Sequence, residues 1–190
     1  MTVCVYGASS TQIDERYIIA TERLGEMLAR AGHDLVYGGG GSGLMGAAAR
    51  GMTVAGGRIV GVVPSFLKVD GILYEHCDEM IYTDTMRQRK QVMDERADAF
   101  IITPGGIGTY EEFFEMYTLK QLGQHGKPLI IFNIDGYYDR LLEMLRFTVE
   151  EGFMRPASLL LYTVATTPEE VLEQLIAAPQ TVSIKDTKFV

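Results

Sequence analysis

Seven short apolar runs, at residues 3–6, 35–37, 59–63, 80–82, 100–103, 129–133 and 160–164, alternate along the chain with stretches of helical periodicity. Most of the runs are apolar on consecutive positions, the pattern of strands covered on both faces. Between the first two, Ile13, Tyr17, Ala20, Leu24, Met27, Leu28 and Ala31 recur at steps of three and four, and Gly32 follows as a C-terminal cap. A second helical stripe holds Phe113, Met116, Tyr117 and Lys120; a third holds Tyr138, Leu141, Leu142, Leu145 and Val149 and stops before Gly152. Pro168 suits the first turn of a last helix that ends near residue 178. Strands alternating with helices require crossover connections. The expected fold class is therefore α/β, a single-domain three-layer sandwich around a mainly parallel sheet of about seven strands. It spans 1–178 of the 190 residues, a length that suits one domain, and leaves 179–190 as a C-terminal tail.

Composition removes several function classes. The net charge of −8 disfavours nonspecific nucleic-acid binding, and no apolar run approaches the ~18 residues of a membrane span. Cys4 and Cys77 are too few for a disulfide framework, and nothing reads as a signal peptide, so a reduced cytoplasmic protein is expected. His33, His76 and His125 lack ligand-like spacing, and no metal is expected.

The 21 glycines are clustered, and two clusters follow strands. Ligands of open α/β sheets bind beyond the carboxyl ends of strands, where the strand order reverses. The first cluster, Gly38 to Gly46, contains Gly39, Gly43 and Met45 and leads into Ala47–Ala48–Ala49. It reads either as a tight packing turn or as a helix start near Leu44 with free N–H groups aimed at an anion. Gly41, Gly43 and Gly46 formally match a dinucleotide fingerprint, but Val63-Pro64-Ser65 ends the next strand where a ribose-binding acid would stand. The second cluster is Pro104-Gly105-Gly106-Ile107-Gly108-Thr109-Tyr110-Glu111-Glu112. Its amides and the Thr109 hydroxyl form an anion cradle, and both glutamates are expected in the first helical turn. Helix-dipole complementarity suffices for Glu111, while Glu112 turns back toward the loop. Met86-Arg87-Gln88-Arg89-Lys90 opens a further helix, where cations oppose the dipole and want an anionic partner. Ser9-Ser10, after the first strand, either caps the first helix or touches a ligand phosphate.

PGGIGTYEE resembles the PGGxGTxxE pattern of the LOG (LONELY GUY) family, the cytokinin riboside 5′-monophosphate phosphoribohydrolases, many once labelled lysine decarboxylases. The resemblance runs from about Val3 to Gly152 and includes the GGGGSGLMG turn, the Arg89-Lys90 pair and Gln121-Leu122-Gly123. It implies a Rossmann-like homodimer that cleaves the N-glycosidic bond of a nucleoside 5′-monophosphate. It implies catalysis by Arg89 and Glu112, phosphate and ribose contacts from the glycine-rich loop, and further ligand contacts at Lys90 and Thr118. Ile107 stands where the family often has an aromatic residue and Arg87 where many members have histidine, and 66–78 does not align clearly with plant members. These departures bear on the base, which is left open between prenylated adenine, adenine and another.

The chemistry is independently coherent. Breaking a ribosyl C1′–N bond builds positive charge on the sugar, which an ionised Glu112 would stabilise while it orients or deprotonates water. Arg89 would anchor the ligand and hold Glu112 ionised. No cofactor is required; lysine decarboxylation would need pyridoxal phosphate on a Schiff-base lysine, and Lys90 alone lies near a motif. The alternative is a non-catalytic carrier of nucleotide or phosphate ligands on the same fold. The motif helix, with Phe113, Phe114, Met116, Tyr117 and Leu119, is apolar round most of its circumference. Either a second copy covers it, giving a homodimer, or the helix that opens at Pro168 does.

Overall fold

A computed structural model describes residues 1–69 and 71–177. The expected tail, 179–190, and the end of the last helix at 178 lie outside the described residues. Seven strands are present: β1 (Thr2–Tyr6), β2 (Asp34–Tyr37), β3 (Ile59–Pro64), β4 (Glu79–Thr83), β5 (Ala99–Ile102), β6 (Leu129–Phe132) and β7 (Thr163–Ala165). The helices are α1 (Glu15–Arg30), α2 (Gly43–Val54), α3 (Met86–Arg96), α4 (Ile107–Gln121), α5 (Asp139–Glu150) and α6 (Pro168–Ala177). The sheet order is β4-β3-β2-β1-β5-β6-β7, and every pairing is parallel, not merely most of them. None of the described helices is long and apolar enough to cross a membrane.

Side-chain alternation divides the core into two halves. Val3, Val5, Leu35, Tyr37, Ile101 and Ile130 face α1, α2 and α6. Cys4, Tyr6, Val36, Val62, Phe100 and Ile131 face α3, α4 and α5. The five inner strands are buried almost throughout, which is why they read as unbroken apolar runs, whereas the edge strands β4 and β7 keep exposed positions. Each fully buried Leu, Ile, Val or Phe side chain contributes ~2 kcal/mol relative to exposure.

The seventh run is displaced from its expected place. Residues Pro156–Leu160 form a 3₁₀ turn opened by Pro156, and the strand starts only at Thr163. Leu160 is 81% exposed while Leu161 is buried. A short apolar run cannot by itself distinguish a strand from a corner that anchors one side chain, and proline at the start of the turn tips it toward the corner. The corner also changes the expected cover of α4. Helix α6 packs against α1 on the other face of the sheet. The expected alternative cover for α4 is therefore absent; instead Tyr117 donates to the Ser158 carbonyl (3.0 Å) and Tyr162 meets Phe113 edge-on. Phe114 and Leu119 stay partly buried.

Two glycines that periodicity does not single out set the crossing of α1 and α2. A β-carbon at Gly25 would lie 2.2 Å from the Ala48 carbonyl oxygen, and one at Gly51 would lie 1.9 Å from that of Glu22. These are backbone collisions that no rotamer relieves. Gly25→Ala and Gly51→Ala should therefore each lower unfolding stability by about 1–3 kcal/mol in denaturant titrations, despite the ~1 kcal/mol helix preference of alanine. Unchanged midpoints would show that the helices separate without cost.

Candidate active site

The sheet order reverses between β1 and β5, and the loops leaving these two strands touch. A β-carbon at Gly7 would lie 2.1 Å from Thr103 Oγ1; that hydroxyl donates to the Tyr6 carbonyl (2.9 Å), and the Ala8 amide donates to the Pro104 carbonyl (3.0 Å). The β5 loop then turns through Gly105, whose α-carbon lies against Thr109: a β-carbon there would sit 2.1 Å from Thr109 Oγ1. From below, the hydroxyls of Tyr137 and Tyr138 donate to the carbonyls of Gly105 and Thr103, both at 2.7 Å.

Helix α4 starts at Ile107, with Gly106 as an N-cap that offers no side-chain acceptor. The first intrahelical bond is from Tyr110 to Gly106 (3.0 Å), so the amides of Ile107, Gly108 and Thr109 precede the hydrogen-bonded ladder. Gly106, Ile107 and Gly108 are exposed, Ile107 to 84%, whereas Thr109 is buried. By contrast α1 is capped by Asp14 and α3 by a Thr85–Gln88 capping box. The start of α4 is thus a positive, open helix end suited to an anion. Because the helix begins at Ile107, Glu111 and Glu112 fall in its second turn, not the expected first, and dipole complementarity does not explain Glu111. Glu111 instead pairs with Lys90, which also meets Glu115 at 2.8 Å. Partial burial pulls the Lys90 pKa down, but its two carboxylate partners outweigh that and raise it.

The three cations of the α3 start go three ways: Arg87 faces solvent, Lys90 reaches α4, and Arg89 turns inward. Arg89 Nε donates to the Val62 carbonyl (3.2 Å). Its guanidinium lies on the α-carbon of Gly38, where a β-carbon would come within 2.0 Å of Nη2. Arg89 Nη1 stands 3.5 Å from Glu112 Oε1, and both residues are only 8% exposed. At that separation the pair is an ion pair without a strong hydrogen bond. Burial pushes the Glu112 carboxyl up to about 7, and Arg89 offsets only part of it. The expectation that Arg89 holds Glu112 ionised is met only in part: Arg89 pulls the carboxyl down, but desolvation is the larger effect and leaves its pKa at about 7.

Of the two readings open to the first glycine cluster, the start of α2 follows the packing turn. The amides of Leu44 and Met45 both reach the Ala8 carbonyl (2.8 and 3.3 Å), so they are not free for a ligand. Gly43 has φ +61°, and a β-carbon there would lie 2.3 Å from the Ala8 oxygen. Gly39, with φ +73°, accepts from the Tyr74 amide (3.0 Å). Here the small residues serve close packing of α2 on the β1 loop. Ser9 is exposed beside Gly43; neither it nor Ser10 caps α1, since Ser10 Oγ accepts from the Gln12 amide and Asp14 holds the cap. The structure thus gathers Arg89, Glu112, Thr109 and the 105–108 loop around one corner, with Ser9, Gly39, Gly43 and Met45 on its flank. Thr118 is not gathered with them: it is exposed on α4, six residues beyond Glu112, or ~9 Å along the axis. Sequence reasoning missed Gly7 and the two tyrosine hydroxyls; a glycine directly after the first strand was the available signal for the former.

A sequence model of a family described as "Possible lysine decarboxylase" matches residues 45–175. The chain is 42% identical over 173 residues to the rice (Oryza sativa subsp. japonica) protein named "Probable cytokinin riboside 5'-monophosphate phosphoribohydrolase LOGL2", covering 91% of this chain and 71% of that one. It is 39% identical to the Arabidopsis thaliana cytokinin riboside 5′-monophosphate phosphoribohydrolase LOG2, covering 91% of this chain and 81% of its relative. In three dimensions it superposes on a molybdenum cofactor binding protein from Rippkaea orientalis with a TM-score of 0.70 at 24% identity, over 93% of this chain and 94% of that one. The molybdenum cofactor carrier protein of Chlamydomonas reinhardtii gives a TM-score of 0.67 at 22% identity, over 93% and 98%. These two likenesses establish the Rossmann-like fold. The family match, and identities near 40% across nine-tenths of the chain, show that it belongs to the LOG family of cytokinin riboside 5′-monophosphate phosphoribohydrolases.

Proposed function

We propose that this protein hydrolyses the N-glycosidic bond of a nucleoside 5′-monophosphate, releasing the free base and ribose 5-phosphate. The observation that carries this reading is the buried Arg89–Glu112 pair beside the uncapped start of α4. The names of the relatives at about 40% identity point the same way. The phosphate is assigned to the amides of Gly106, Ile107, Gly108 and Thr109 and the Thr109 hydroxyl, with Gly105 giving the loop its close turn and Tyr110 closing the first helical bond behind it. Ser9, Gly39, Gly43 and Met45 border the ribose. Binding the phosphate there fixes C1′ against Glu112, so remote binding energy positions the reacting bond. As the C1′–N bond breaks, positive charge grows on the sugar and ionised Glu112 stabilises it. Glu112 takes a proton from water, the hydroxide adds to C1′ as the C1′–N bond breaks, and that same proton is passed on to the departing base, leaving Glu112 ionised again. Arg89 pairs with the ligand and restrains the Glu112 carboxylate.

Lys90 and Glu111 satisfy each other in the free chain; their proposed part is to border the ligand as a pair. Thr118 stands too far along α4 to serve its own Glu112, and we assign it to the site of a partner subunit in a two-fold homodimer. The partly buried Phe114 and Leu119 beside it support that assembly. The unpaired thiols of Cys4 and Cys77 suit a cytoplasmic setting. Lys90, the lysine beside the motif loop, does not fit pyridoxal-phosphate chemistry: a Schiff-base lysine must shed its proton, whereas Lys90 is held as an ammonium by Glu111 and Glu115.

Incubation with adenosine and N6-prenyladenosine monophosphates should release base, and the matching nucleosides should react far more slowly; binding without release would favour a carrier, and equal kcat/KM for nucleoside and nucleotide would remove the phosphate cradle. Glu112→Gln should cut turnover roughly 10²-fold or more while binding persists, and wild-type kcat/KM should rise with pH through about 7 as Glu112 ionises. The same carboxyl binds its proton more tightly folded (about 7) than unfolded (4.5), so its contribution to stability falls as pH rises across that window. Glu112→Gln should consequently be more stable than wild type above pH 7, by ~3 kcal/mol, and indistinguishable at low pH; parallel stability curves would refute the buried-carboxyl account. Light scattering should give a dimer mass, and a monomer that stays active at micromolar concentration would exclude the composite site.

A further inference from the structure

The far end of α4 holds a cation that the reaction does not use. Lys120, in the last turn, is 5% exposed. Its Nζ donates to the Lys127 carbonyl (2.8 Å) and pairs with no carboxylate among the described residues. Asp94, the acid bound to neighbouring Lys127, is occupied by Lys127 Nζ at 2.8 Å. Burial alone pulls the Lys120 pKa down. An ammonium taken from water without a counter-charge is costly, and an anion beside it would relieve that cost.

Lys120 also lines a cavity of about 240 Å³ whose walls include Leu129, Ile130, Leu161 and Tyr162. It lies where β6 and β7 begin, at the amino edge of the sheet, opposite the glycine loops. Gln174 in its wall is held by its neighbours, accepting from Thr163 Oγ1 (2.6 Å) and donating to the Val164 carbonyl (2.9 Å). The cavity therefore offers one cationic donor and an apolar lining, the usual make-up of a small-molecule site. Its volume matches roughly eight waters at ~30 Å³ each, or a molecule of about eight to ten non-hydrogen atoms. Because the negative, carboxyl end of α4 borders it, a dianion such as phosphate is disfavoured.

We propose that this cavity binds a small apolar monocarboxylate, its carboxylate on Lys120 Nζ and its hydrocarbon body against Leu129, Ile130, Leu161 and Tyr162. The site stands about 20 Å along α4 from the Gly106–Thr109 loop, so its occupant does not compete with a nucleotide. It is independent of the reaction assigned to Arg89 and Glu112.

The test is calorimetric titration of the full chain with benzoate and with benzamide, which has the same shape and no charge. Benzoate should bind with a high-micromolar to millimolar constant and benzamide roughly ten-fold more weakly or worse. The Lys120 ε-carbon resonance should shift with benzoate and not with benzamide. Lys120→Met, a substitution of similar volume, should abolish the preference for the anion. Should that variant not fold, Thr163→Trp at the exposed rim closes the cavity with the ammonium retained, and benzoate binding should vanish. Absence of benzoate binding to the wild type, equal binding of benzamide, persistence in both variants, or displacement by ribose 5-phosphate would each overturn the proposal.

Discussion

Gly7 and Thr103 meet where β1 and β5 part, and the site is registered on that contact. With a side chain at residue 7 the two loops could not approach, since the β-carbon would overlap the Thr103 hydroxyl. Their approach lets the Ala8 amide reach Pro104 and the Ala8 carbonyl receive the first amides of α2. One short segment after β1 thereby ties the β5 loop to the α2 start. Everything placed by α2 and α4 inherits its position from this junction. The parallel sheet supplies the rest: all seven strands point the same way, so their loops emerge at one edge and can converge.

Electrostatics at this corner is a contest between burial and a partner. Glu112 loses most of its water when α4 packs on the sheet, and a guanidinium 3.5 Å away does not replace that hydration. The carboxyl pKa is therefore raised to about 7. Arg89 is fixed more firmly than its partner, by the Val62 carbonyl and by the surface that Gly38 leaves bare. The glycine at position 38 serves the arginine as much as any ligand. The site thus spends folding stability to keep an acid buried, as functional sites commonly do.

Much of this was legible in the chain. Consecutive apolar residues in Val3, Cys4, Val5 and Tyr6 demand cover on both faces, and that demand alone dictates layered α/β packing. Phe113, Met116, Tyr117 and Lys120 lie on one helical face, and all four are buried. PGGIGTYEE marked the loop because its glycines, threonine and glutamate have separate duties there. Local rules failed where one residue type has two structural uses. The apolar run at 160–164 made a corner before it made a strand, and the cluster from 38 to 46, open to either a packing turn or an anion site, packs α2 against a loop with the Leu44 and Met45 amides on the Ala8 carbonyl.

The sequence by itself determined the layers, the strand number and which loop opens a helix without a side-chain cap, because these follow from periodicity, from the bare Cα of glycine and from helix-start chemistry, all local properties. The tertiary structure alone decided the pairing of residues distant in sequence. It turned Arg89 inward and Lys90 outward to Glu111 and Glu115, set Tyr137 and Tyr138 beneath the loop, and buried Glu112 until its proton affinity rose. Hydration depends on what surrounds a group in space, and no spacing along the chain encodes it.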